Sequence, residues 1–214
     1  MGELLMKKIF KLINVEFTKN KKYFIFITIL LIIGFVAGSF FITILSSDDK
    51  KLVGETISNF FMQIKNNKID SIYSLRTSLS TNSLYIIFIW LLGVSIIGIP
   101  IIIFLVFIKS FVLGFSLSGI IYQYKLKGTL LSLSYIFPHQ IINLIIISFM
   151  GLYALKVSLS LIKLIISKKQ INFKVIMKKY FGVLIICIIL GIISSLLEAF
   201  VCPYIIKLFS FLIK

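Results

Sequence analysis

Residues 84–124 form an apolar run of about 40 residues that contains a single charge, Lys109. A bilayer core about 30 Å thick is crossed by about 20 residues of helix, so a run of this length is two crossings rather than one. In hydrocarbon every backbone donor and acceptor must be satisfied within the segment, which restricts apolar runs of this kind to helices. Gly98-Ile-Pro100 is the natural break, because proline lacks the N–H that a continuing helix would use. The first partition gives spans over 84–100 and 101–123, with Lys109 turned into the bundle. A second keeps 84–108 as one span and makes 111–122 a re-entrant half-helix. Periodicity does not separate the two.

The rest of the chain repeats the pattern. With 59 % hydrophobic residues and three prolines in 214 residues, and a mean hydropathy of +1.10, the composition is that of a polytopic membrane protein. The fold expected is an all-α transmembrane helix bundle of about five spans, some broken or re-entrant, with the lipid bilayer as its first partner. The first span covers 23–45; it is too long for a signal-peptide core and lacks a small-x-small cleavage pattern before Asp48 and Asp49. The fourth apolar zone, 130–166, is interrupted at Phe137-Pro138-His139, so 130–137 reads as a half-helix. The last span runs from 180 to about 202.

Charge orients these spans. Every basic residue except Arg76 is lysine, and the net charge of +16 is concentrated beside the apolar runs rather than along one polar face. That is a topology signal, not a nucleic-acid footprint. Residues 1–22 carry six lysines with apolar residues near helical spacing, as a cytoplasmic interfacial segment would. Residues 23–214 are then a single membrane domain. The basic loop 167–179 has no acid and belongs inside; the near-neutral loop 46–83 belongs outside. Within that outer loop Leu52, Ile57, Phe60, Phe61 and Ile64 mark an amphipathic helix.

The polar residues inside the spans are few. After Asp70 the chain has one acid, Glu198, set in the apolar run GIISSLLEAFVCP. An ionisable group at that depth is costly and needs a partner. One reading pairs Glu198 with His139 across two helices, as a lock or as part of a proton or ion path. The other leaves His139 capping the donors freed by Pro138, and pairs Glu198 with Lys109 or Lys156. Gly34 and Gly38 in the first span, Gly114 with Ser118 and Gly119 in the third, and Gly182 with Gly191 in the last offer small-residue faces for close helix packing. Cys187 and Cys202 stand about 22 Å apart if one helix carries both, so they do not bridge each other and read as small hydrophobes. With one histidine, and no HExxH, GxSxG or phosphate-cradling glycine loop, no catalytic set, cofactor site or metal site is expected.

Pro138-His139 at the head of an apolar helix, the Gly114-Phe-Ser-Leu-Ser-Gly119 segment and Glu198-Ala-Phe-Val-Cys-Pro203 together resemble the stage II sporulation protein M family of integral membrane proteins. The last segment is the most specific. Gln140 and Asn143 stand where broader members carry Gly and Glu, which resembles the endospore-former branch. The resemblance implies a non-enzymatic membrane scaffold, located in the sporulation septum and engulfing membrane. It would hold the peptidoglycan-degrading stage II sporulation proteins D and P during engulfment. The alternative from the residues themselves is a transporter or permease component, possible as a homo-oligomer, whose intramembrane site is built from His139, Glu198, Lys109 and Lys156 beside the breaks at Pro100 and Pro138.

Overall fold

The computed structural model describes residues 20–66, 70–167 and 173–208. Almost all of the expected interfacial segment 1–22, and the start of the basic loop 167–179, lie outside the described residues. The described chain is helical, with no strand. Its elements are α1 (Lys21–Ile44), α2 (Ser47–Lys65), α3 (Ser71–Gly93), α4 (Gly98–Tyr124), α5 (Leu126–Ser167) and α6 (Phe173–Leu196), then a π-helical turn (Leu197–Val201) and α7 (Cys202–Leu208).

Four stretches are long and apolar enough to cross a bilayer: α1, α4, Pro138–Ile166 of α5, and Phe173–Leu208. A fifth crossing follows from direction. A Cβ on Gly34 would lie 2.7 Å from the Phe107 carbonyl oxygen, and one on Gly38 would run into the Phe111 backbone, so α1 and α4 lie side by side and parallel. The chain must return between them, and α3 is the element that does so, with Ile86 and Ile89 buried in the core.

The break in 84–124 comes earlier than expected. Helix α3 ends at Gly93, residues 94–97 make the turn, and Gly98 opens α4. Pro100 therefore lies in the first turn of α4, where its missing N–H has no partner to lose. Gly98 is needed because a Cβ there would strike the Leu92 carbonyl. Helix α4 is one continuous crossing, so 111–122 is not a re-entrant half-helix. Ser158 closes the turn from the opposite helix, donating to the Gly93 carbonyl at 2.9 Å and the Ser95 carbonyl at 2.8 Å.

Residues 46–83 are mostly helix rather than loop. Ser46 accepts from the Asp49 N–H at 3.1 Å to start α2. Asp70 accepts from the Ile72 N–H at 2.8 Å to start α3. The Asp70 carboxylate thus satisfies orphan donors, and Asp48 and Asp49 lie in the first turn of α2, where a carboxylate favours the dipole. The amphipathic face of α2 is present, with Phe61 and Ile64 buried, but Leu52 is exposed.

Helix α5 is also uninterrupted. Pro138 sits inside it, so 130–137 is not a separate half-helix and His139 is not at a helix start. This helix is the centre of the bundle: in an apolar 18-residue stretch of Pro138–Ile166 56 % of the residues are buried, against 22 to 33 % in the corresponding stretches of the other three spans. It touches α1, α3, α4, α6 and α7. Two apolar cores result. The larger, at membrane depth, gathers Ile27, Ile89, Ile102, Val106, Met150 and Tyr180. The smaller, at the outer end, packs Phe61 and Ile64 of α2 against Ile120, Leu131, Ile136 and Ile206.

Candidate functional site

The π-helical turn explains the Glu198-Ala-Phe-Val-Cys-Pro203 segment. Pro203 has no N–H to give the carbonyl four residues back, and its ring would press on that carbonyl. The helix widens instead, and the Cys202 N–H reaches back to the Leu197 carbonyl. Such a turn inserts a residue into the helical phase and re-aims the side chains it contains. Glu198 is one of them.

The carboxylate of Glu198 accepts from Ser78 of α3 at 2.6 Å, the length of a charge-assisted O–H···O⁻ bond. Behind Ser78 lies a fixed set of donors. Asn82 Nδ2 donates to Ser195 Oγ at 3.0 Å and to Ser78 Oγ at 3.3 Å, and the two serine hydroxyls are 3.1 Å apart. The donors run in sequence toward Glu198, so each bond polarises the next. Ser78, Asn82 and Ser195 are all buried.

His139 occupies the adjoining layer. Its Nδ1 lies 3.4 Å from Cys202 Sγ, and its backbone carbonyl accepts from Ser194 at 3.0 Å. Glu198 and His139 thus lie in one polar band joining α3, α5, α6 and the π turn, but Glu198 takes its hydrogen bond from Ser78 rather than from His139. Cys202 is fully buried against the imidazole, more than the inert hydrophobe its sequence context suggests.

Lys109 extends the band to α4. Its ammonium sits 5.0 Å from the centroid of the Tyr85 ring, and the Tyr85 hydroxyl donates to the Leu105 carbonyl one turn earlier on the same helix. Glu198 is near enough to act on Lys109 electrostatically, so each charge offsets part of the other's cost at this depth. Lys156 does not join them. It donates to Asn20 Oδ1 at 2.9 Å, placing it at the opposite end of α5, about 26 Å from His139 along the helix. It anchors the foot of α1.

Gly34, Gly38 and Gly114 form the α1–α4 seam, where a Cβ on Gly114 would meet the Phe35 carbonyl, and Ser39 donates to the Gly114 carbonyl at 3.3 Å. Gly119 faces Ile57 of α2, and Gly191 faces Ile86. Gly182 has no neighbour within 4 Å and packs nothing.

Sequence reasoning missed Ser78, Asn82, Ser194 and Ser195. Helical spacing carries a signal for them: Ser78 and Asn82 are four apart, and Ser194 and Ser195 precede Glu198 by four and three. Among the described residues no three His, Cys, Asp or Glu side chains gather closely enough to hold a metal ion.

No curated protein and no solved structure gives a match to the chain. The model of one family, described as Stage II sporulation protein M, matches residues 27–203. That stretch opens in α1, takes in the whole polar band and closes on Pro203, the residue that makes the π turn. This multi-pass, sporulation-related membrane protein belongs to the stage II sporulation protein M family.

Proposed function

We propose that the chain is a non-enzymatic membrane scaffold that holds the septal peptidoglycan-degrading machinery during engulfment of the forespore. Its partners would be the stage II sporulation proteins D and P, and its place the sporulation septum and engulfing membrane. The observation that carries this reading is the outer end of the bundle. There α2 and α7, with the ends of α4 and α5, form a helical cap with its own apolar core, and large side chains are left exposed: Leu52 and Met62 on α2, and Ile72 and Tyr73 at the start of α3. Ile72 and Tyr73 are 74 % and 72 % exposed, side by side on the first turn of α3. Exposed apolar residues rimmed by polar ones are what a docking surface offers. The polar band ties α3 to the last span.

A transport site built on Lys109 and Glu198 has less support, because the cavity beside Lys109 measures only about 10 Å³. The test is co-purification of the tagged full-length chain from sporulating cells in mild detergent. The two degrading proteins are expected with the wild type and absent with an Ile72→Glu, Tyr73→Ala variant that still inserts and folds. Recovery of an ATPase, or of the chain alone, from the wild type would overturn the proposal. Deleting residues 46–83 is a poorer test, since it also removes Ser78 and Asn82.

A further inference from the structure

Between α3, α4 and α5 lies a cavity of about 10 Å³ lined by Asn82, Tyr85, Ile86, Lys109, Asn143, Ile146 and Ile147. Three polar groups converge on it. Asn143 is only 5 % exposed, and its amide makes no hydrogen bond to any described residue. Asn82 spends both amide N–H groups on Ser78 and Ser195, which leaves its carbonyl oxygen over for the cavity. The Lys109 ammonium has three donors and, in the described structure, only the Tyr85 ring as a close partner.

The Asn143 amide is not sealed off, since among the described residues Trp90 Nε1 is the one buried side-chain polar atom without a partner; it borders the cavity. A cavity of about 10 Å³ is the least that holds one water, and a water needs two to four polar partners. Size and chemistry therefore select the same ligand.

We propose that this cavity is a binding site for a single water molecule, held by Lys109 Nζ, the Asn143 amide and Asn82 Oδ1. The water donates to Asn82 Oδ1 and accepts from Lys109, and its second proton reaches Asn143 Oδ1. It completes a continuous chain from Lys109 through Asn82 and Ser78 to Glu198. Lys109 and Glu198, both half-buried, are thereby linked through oriented groups. The site stands independently of the scaffold reading.

Radiolytic hydroxyl labelling of the full-length protein in nanodiscs tests it, because a side chain beside a bound water is labelled even where bulk solvent does not reach. Tyr85 is the reporter and Tyr180, fully buried in the main core, the reference. Tyr85, itself partly exposed, is expected to be labelled faster than Tyr180, and Asn143→Leu, which fills the cavity, is expected to cut the Tyr85 rate several-fold while leaving Tyr180 unchanged. Equal labelling of the two tyrosines in the wild type overturns the site without recourse to any variant. So does a Tyr85 rate that is unchanged in a folded Asn143→Leu protein.

Discussion

Glu198 ends a run of donors, and this position determines what its replacement costs. Glu198→Ala strands the Ser78 hydroxyl in a buried site and should destabilise the bundle by about 1–3 kcal/mol. Glu198→Gln keeps an acceptor oxygen and should cost about 1 kcal/mol or less. Unfolding in mixed micelles measures both, and equal losses would sink the assignment of Glu198 as the terminal acceptor. Glycine gives a second contrast. A Cβ at Gly38 runs into the Phe111 backbone, which cannot rotate away, so Gly38→Ala should cost about 1–3 kcal/mol as overpacking of the α1–α4 seam. Gly182→Ala meets open space and should gain about 0.5–1 kcal/mol through helix propensity. The same unfolding assay ranks them; a harmless Gly38→Ala would mean that the seam is loose. Glu198 was legible in the sequence because an acid in an apolar run has no other explanation. Ser78 and Asn82 were not, because serine and asparagine on a polar stretch look like solvent-facing residues until the partner helix is in place.

At the scale of elements, proline is read differently according to what its missing N–H would have bonded. Pro100 sits where no bond is lost, so it begins a helix and the break falls ahead of it. Pro138 lies mid-helix and α5 continues through it, as membrane helices allow when neighbours satisfy the freed groups. Pro203 widens the last helix into a π turn. Sequence shows three prolines in apolar runs and cannot distinguish these outcomes, which depend on the packing around each. The third has a sharp consequence. Restoring the N–H with Pro203→Ala should let the turn relax to an α-helix, moving Glu198 by about one residue's rotation, roughly 100°, away from Ser78. Glu198→Ala should then cost much less in the Pro203→Ala background than in the wild type. A double-mutant cycle reads the coupling directly, and strictly additive losses would show that the π turn does not aim Glu198.

At the scale of the whole molecule, length decides what the bundle can be. Helix α5 has 42 residues, about 63 Å at 1.5 Å per residue, twice what a bilayer core about 30 Å thick requires. The excess cannot lie in hydrocarbon at both ends, because Lys156 and Lys163 approach the lower interface. It extends at the other end, where its first turns join α2 and α7 in the smaller core. The fold is therefore a membrane bundle carrying a helical cap. A count of about five crossings was legible in the apolar runs; of the cap only the amphipathic face of α2 was, because residues 46–83 are polar enough to look like a loop and α2 is held mainly by contacts with α4 and α7. The charge bias places this cap outside and the foot of α5 inside. Cys187 and Cys202 are buried, so engineered cysteines can report on sidedness without interference. Glu55→Cys, on the exposed face of α2, should react with a membrane-impermeant maleimide in intact cells. Lys163→Cys, exposed near the end of α5, should react only after permeabilisation. The reverse pattern would invert the molecule, put the cap in the cytoplasm and remove it from any partner that acts on peptidoglycan.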